Sequence, residues 1–206
     1  MNNKSYNFRL AEELVRSAEE SLQDIFHKRT NQIFYKLDRI LQIFQEEKVS
    51  STHFNQSTGF GHDDISRQKI DDVFAKFFLA EKAAVRMQFV SGTHAISSVL
   101  FGVLRPGDLM LSVTGSPYDT LEEVIGLRGK GKGSLFDLGV EYRQISIDEK
   151  VNSLQDKLED FFKKNNCKLV FIQKSCGYSW RKSLSNNQIK QICNLVHSLN
   201  PSCICF

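Results

Sequence analysis

From residue 83 onward, short apolar runs alternate with amphipathic stretches of helical length, and few folds accommodate that order. Residues 109–114, 140–147, 168–173 and 202–206 read as strands, and 83–90 reads as a buried strand ahead of them. Residues 95–104, 117–126, 151–165 and 185–199 read as helices. Strands alternating with helices of this length predict an α/β fold, a parallel sheet with helices on both faces. Arg105-Pro106-Gly107-Asp108 has turn chemistry, and Pro117 suits the first turn of a helix.

Within this pattern, Ser91-Gly92-Thr93 separates an apolar run from a helix start. The first N–H groups of a helix lack internal partners, and the helix dipole places partial positive charge there. Glycine lets a ligand approach the backbone closely. Ser91 and Thr93 add hydroxyl donors, so the stretch suits a phosphate. A helix cap alone also accounts for Ser91 or Thr93.

Ahead of the alternating region, residues 8–47 carry a helical apolar period, with Leu10, Leu14, Ala18, Leu22 and Phe26 at four-residue spacing. Residues 48–64 are polar and irregular, and 66–78 read as a helix that Asp63 or Asp64 would cap. The expected division is a helical arm over 1–50, an interface loop and helix over 51–82, and a partial α/β large domain over 83–206.

A net charge of +3 without a basic stripe argues against nucleic acid as a partner. The five cysteines, all from Cys167 onward, match no zinc spacing and read as reduced core residues. The polar N-terminus has no apolar signal core, and no apolar run approaches membrane-spanning length. The expected location is cytoplasmic, with no membrane partner.

Three segments of the alternating region resemble the aluminium-resistance protein family: residues 91–96, residues 104–108, and the long string from Thr114 through Pro117-Tyr118-Asp119-Thr120 to Gly126. Residues 57–64 and 173–181 are similar to further segments of it. These are pyridoxal-phosphate proteins of aspartate-aminotransferase fold (fold type I), related to cystathionine β-lyase and methionine γ-lyase. The resemblance implies that Ser91, Gly92 and Thr93 hold the phosphate of pyridoxal 5'-phosphate and that Tyr118 stacks on its ring. It implies a carbon–sulfur lyase acting on a small sulfur-containing amino acid, as a homo-oligomer. In related lyases the front loop reaches a neighbouring subunit's site, which would place His62 and Arg67 near the cofactor.

The chain also departs from the family. Phe60 and His62 stand where tyrosines are usual, and Cys176 stands where an arginine is expected. The aspartate that pairs with the ring nitrogen and the Schiff-base lysine would lie after residue 206. No lysine present is assigned that role, so the expected catalytic set within these residues is empty, and the chain reads as a fragment. The alternative is a non-catalytic remnant that acts as a binding or subunit-association module.

Two weaker patterns compete. Residues 126–133 nearly match a nucleotide phosphate loop but have Gly133 where Ser or Thr is required. His62, Asp63 and Asp64 are adjacent, and adjacent residues rarely converge on one metal ion. His94 reads as a structural hydrogen-bond partner.

Overall fold

A computed structural model describes residues 3–58, 64–129, 132–146, 151–175 and 180–206. The chain divides into two compact units, Met1–Met87 and Gln88–Phe206.

The first unit contains α1 (Asn3–Glu46) and α2 (Ile65–Phe78). No proline or glycine interrupts residues 3–46, so the apolar period continues as one helix of 44 residues. Much of its apolar stripe is exposed, with Phe8, Leu14, Ile33 and Phe34 each more than half accessible. Near the end of α1, Ile43 is buried, and Glu47 accepts from Lys69 at 3.1 Å and pairs with Lys76 at 2.6 Å on α2. Asp64 caps α2 by accepting the Arg67 N–H at 3.0 Å.

Residues 83–90 are not a strand, contrary to the sequence reading. Their backbone joins no ladder among the described residues; the Val85 N–H donates to Asp71 Oδ1 on α2 at 2.7 Å. Arg86 holds the same carboxylate with both terminal nitrogens, each at 2.7 Å. A short apolar run looks like a strand from composition alone, but a strand needs a partner edge, and here a side chain takes the amide instead. Met87 and Val90 are largely exposed.

The second unit is a four-stranded parallel sheet in the order β2-β1-β3-β4, with β1 Leu109–Ser112, β2 Glu141–Gln144, β3 Leu169–Phe171 and β4 Ile204–Cys205. Its helices are α3 (Gly92–Val103), α4 (Asp119–Ile125), α5 (Val151–Lys164) and α6 (Asn186–Leu199). β1 and β3 are buried along their whole length, as expected of strands covered on both faces. Alternate residues serve opposite cores. Met110, Leu169 and Phe171 pack with Leu100 of α3, with Leu104 just beyond its end, and with Leu121 and Ile125 of α4. Leu111 and Val170 pack with Leu154 and Leu158 of α5 and Ile192 and Val196 of α6. Cys167 and Cys203 belong to this second core as free thiols.

Among the described residues, no helix is long and apolar enough to cross a membrane.

The Asp71–Arg86 pair yields a pH-dependent expectation. The hydrogen bonds from Arg86 hold the Asp71 carboxyl below its ordinary value, against the opposing effect of burial. A depressed carboxyl contributes stability that is full above its unfolded value and is lost as pH falls through its folded value. Asp71→Asn is expected to lower stability at pH 7 by about 2 kcal/mol, the scale of a charged hydrogen bond. The gap between variant and parent should narrow below about pH 4. Urea denaturation at the two pH values checks this; a gap that stays constant contradicts it.

Candidate phosphate site at the carboxyl edge of the sheet

α3 leads through the turn at Arg105–Asp108 into β1, so its N-terminus returns to the carboxyl end of β1. The sequence there produces a defined start. Ser91 is extended, at φ −159° and ψ 165°, and its Oγ accepts the His94 N–H at 3.0 Å. The Ala95 N–H closes the first turn on the Ser91 carbonyl at 3.1 Å. The cap reading of Ser91 is therefore realised. It does not exclude ligand binding, because an accepting hydroxyl keeps its own proton to donate.

Among the described residues, the N–H groups of Gly92 and Thr93 have no acceptor. A Cβ built on Gly92 would meet nothing within 4 Å, so the surface beside this residue is open. Thr93 Oγ1 lies 2.8 Å from Thr120 Oγ1 on α4. One of these hydroxyls donates to the other, which leaves the acceptor's proton available. Two amides and two hydroxyl protons thus gather at the positive end of a 12-residue helix. The donors are neutral and lie together at one helix start, which suits a phosphate group. The adjacent start of α4 differs, since Asp119 Oδ1 already accepts the Thr120 N–H at 2.8 Å.

The topology puts these donors beside a crevice. β1 connects through α4 to β2, and β3 connects through α6 to β4, on the opposite side of the sheet. α4 and α6 cover opposite faces. The chain therefore leaves β1 and β3 in opposite directions, and ligands of open α/β sheets bind at such a reversal, outside the carboxyl ends. Tyr118 sits there at the N-cap of α4, with its ring partly exposed at 38%. Its N–H donates to Gln173 Oε1, beyond β3, at 2.9 Å. The Gln173 N–H donates to Thr114 Oγ1, beyond β1, at 3.1 Å. Burial pushes the Tyr142 phenol up to about 12, so it stays protonated and donates to Gln144 Oε1 at 3.0 Å, near Ser116.

Of the residues singled out from sequence, Ser91, Gly92, Thr93 and Tyr118 are brought to one edge of the second unit. Arg67 is exposed on α2 and belongs to the first unit. His62 lies outside the described residues, as do Phe60 and Cys176. His94 Nδ1 accepts the Val90 N–H at 3.4 Å, a structural contact. In the glycine-rich loop, Asp137 Oδ2 accepts the N–H groups of Gly133 and Ser134 at 2.8 and 3.2 Å. These bonds hold its carboxyl below the usual value, so an internal anion already occupies those amides. No group of three metal-binding side chains occurs among the described residues. Sequence reasoning missed Thr120 as the partner of Thr93 and Gln173 as the partner of Tyr118. Their separations of 27 and 55 residues left no local signal.

Comparison with known proteins gives a consistent picture. The model of the family described as methionine gamma-lyase matches residues 11–206. The uncharacterized protein YnbB of Bacillus subtilis is 41% identical over 197 residues, covering 94% of this chain and 47% of that protein. A Listeria monocytogenes structure, described as a candidate cystathionine beta-lyase involved in aluminum resistance, is 40% identical with a TM-score of 0.85. That match covers 95% of this chain and 49% of the other. A Clostridium novyi structure, described as a carbon–sulfur lyase involved in aluminum resistance, is 36% identical with a TM-score of 0.88, covering 100% and 51%. The chain thus spans about half the length of these relatives.

The open face of Gly92 can be tested directly. Gly92→Ala is expected to leave the melting temperature within about 2 °C, because a Cβ there meets nothing within 4 Å and Gly92 is the first residue of a regular helix. The methyl would crowd the unpartnered amides, so binding of inorganic phosphate should weaken about tenfold. Equal binding by parent and variant in a calorimetric titration would show that phosphate does not sit there.

Proposed function

Because the chain belongs to the methionine gamma-lyase family, we propose that it provides the cofactor-phosphate side of a pyridoxal-phosphate-dependent carbon–sulfur lyase acting on a sulfur-containing amino acid. The observation that carries this reading is the unpartnered donor set at the start of α3, beside the reversal point of the sheet. The names of the Listeria and Clostridium relatives support the lyase class and, for those proteins, the link to aluminum.

The donor set fits the group. The N–H groups of Gly92 and Thr93, the Ser91 hydroxyl and the Thr93–Thr120 hydroxyl pair would bind its phosphate. Tyr118 would lie against one face of its ring. When bound, pyridoxal phosphate supplies an electron-withdrawing ring that takes up the charge left by removal of an amino acid's α-proton. The chain's own residues would orient that ring: the helix start would hold its phosphate, and the aromatic side chain would shield one face from water. On the family resemblance, the lysine that moves the proton and the aspartate that pairs with the ring nitrogen would lie in the other half of the relatives' length.

In the same proposal the protein is a cytoplasmic homo-oligomer. A second copy would contribute Arg67 and the segment containing His62, bringing positive charge to a phosphate that α3 meets with neutral donors. The division into arm, interface segment and large domain at residues 50 and 82 is part of this reading.

The test uses pyridoxine 5'-phosphate, which lacks the aldehyde and does not condense with surface lysines. Calorimetry is expected to show binding at least about tenfold tighter than for pyridoxine without its phosphate. Equal affinity for the two compounds would overturn the reading.

A further inference from the structure

We propose that Gln173 is a positioning residue, which joins the loops after β1 and β3 and thereby sets where the Tyr118 ring stands in the crevice. The inference rests on the functional reading above, because it concerns how that site receives a ring.

Gln173 is the first point beyond β3 at which the two strands are still tied. The last backbone link of the β1–β3 ladder runs from the Val113 N–H to the Phe171 carbonyl at 3.1 Å. After it the chains separate, and side chains take over. The Gln173 N–H donates to Thr114 Oγ1 at 3.1 Å, and Gln173 Oε1 accepts the Tyr118 N–H at 2.9 Å. The remaining polar atoms of Gln173 are also committed. Its Nε2 donates to the Ser175 carbonyl at 3.2 Å, and its carbonyl accepts from Arg181 Nη2 at 3.1 Å. The same Arg181 nitrogen donates to the Ser175 carbonyl at 2.6 Å.

These contacts fix the orientation of the amide. An N–H can only donate and a carbonyl can only accept, so the oxygen faces Tyr118 and the nitrogen faces Ser175. Both ends of the amide are engaged within the protein, which argues for a supporting role over direct recognition of a substrate.

Tyr118 is held from both sides as a result. Its carbonyl accepts the Leu121 and Glu122 N–H groups at 2.8 and 3.2 Å in the first turn of α4. Its N–H is held by Gln173, across 55 residues of sequence. α4 fixes where the residue begins the helix, and Gln173 fixes how far the preceding loop leans toward β3. A stacked ring needs its plane at a set distance from its partner, so a small shift of this backbone costs contact area.

The test compares two probes, pyridoxine 5'-phosphate and inorganic phosphate, on the full chain by calorimetry. The parent should prefer pyridoxine 5'-phosphate. In Gln173→Leu that preference should fall about tenfold while the affinity for inorganic phosphate stays unchanged. Gln173→Glu keeps an acceptor for the Tyr118 N–H and should retain most of the preference. Gln173→Asn, one methylene short, provides a milder variant if Gln173→Leu does not fold, and it should behave as Gln173→Leu does. A parent with the preference and a Leu or Asn variant that keeps it would overturn this inference and leave the functional reading standing. A Leu or Asn variant that folds but loses inorganic phosphate equally would also overturn it, by showing a general structural role. A parent without any preference would overturn the functional reading itself, and this inference with it.

Discussion

The reversal of winding between β1 and β3 is the constraint on which the rest of the second unit depends. Both strands are buried on both faces, so each must be covered by helices on either side. One strand sends its helix to one face and toward β2; the other sends its helix to the opposite face and toward β4. The loops beyond their carboxyl ends therefore part, and ligands of open α/β sheets bind at such a gap. Burial of Met110, Leu111, Leu169 and Val170 thus has a consequence far from the core: it fixes where a crevice must open.

The features of that edge follow from position. α3 precedes β1 and covers the same face as α4, so its N-terminus arrives at the gap with amides that helix geometry leaves without partners. The neighbouring helix start is closed by its own Asp119, and the glycine-rich loop by Asp137. Asp119 and Asp137 supply internal acceptors to nearby amides, whereas the amides of Gly92 and Thr93 have none among the described residues. In the proposed reading, this opening receives the phosphate of the cofactor.

Much of this architecture was legible in sequence, and the exceptions have physical causes. The alternation from residue 109 onward predicted the helices and strands because each carries its period in its own apolar residues. The arm read as helical because nothing interrupts it, although the period alone does not say that it is a single 44-residue rod. Residues 83–90 have the apolar content of a strand without a partner edge; the carboxylate of Asp71 claims the amide of Val85. Ser91, Gly92, Thr93 and Tyr118 could be offered as candidates from sequence because turn chemistry and family resemblance are local. Thr120 and Gln173 could not, because each acquires its role only when the sheet brings distant loops together.

The most direct test of the central claim is an amide-resolved nuclear magnetic resonance titration of the full chain with pyridoxine 5'-phosphate, using pyridoxine as the control. The account predicts that the Gly92 and Thr93 amide signals move first and furthest with the phosphorylated compound and stay in place with pyridoxine. Perturbation of Gly133 and Ser134 in place of Gly92 and Thr93, or equal shifts with both compounds, would contradict it.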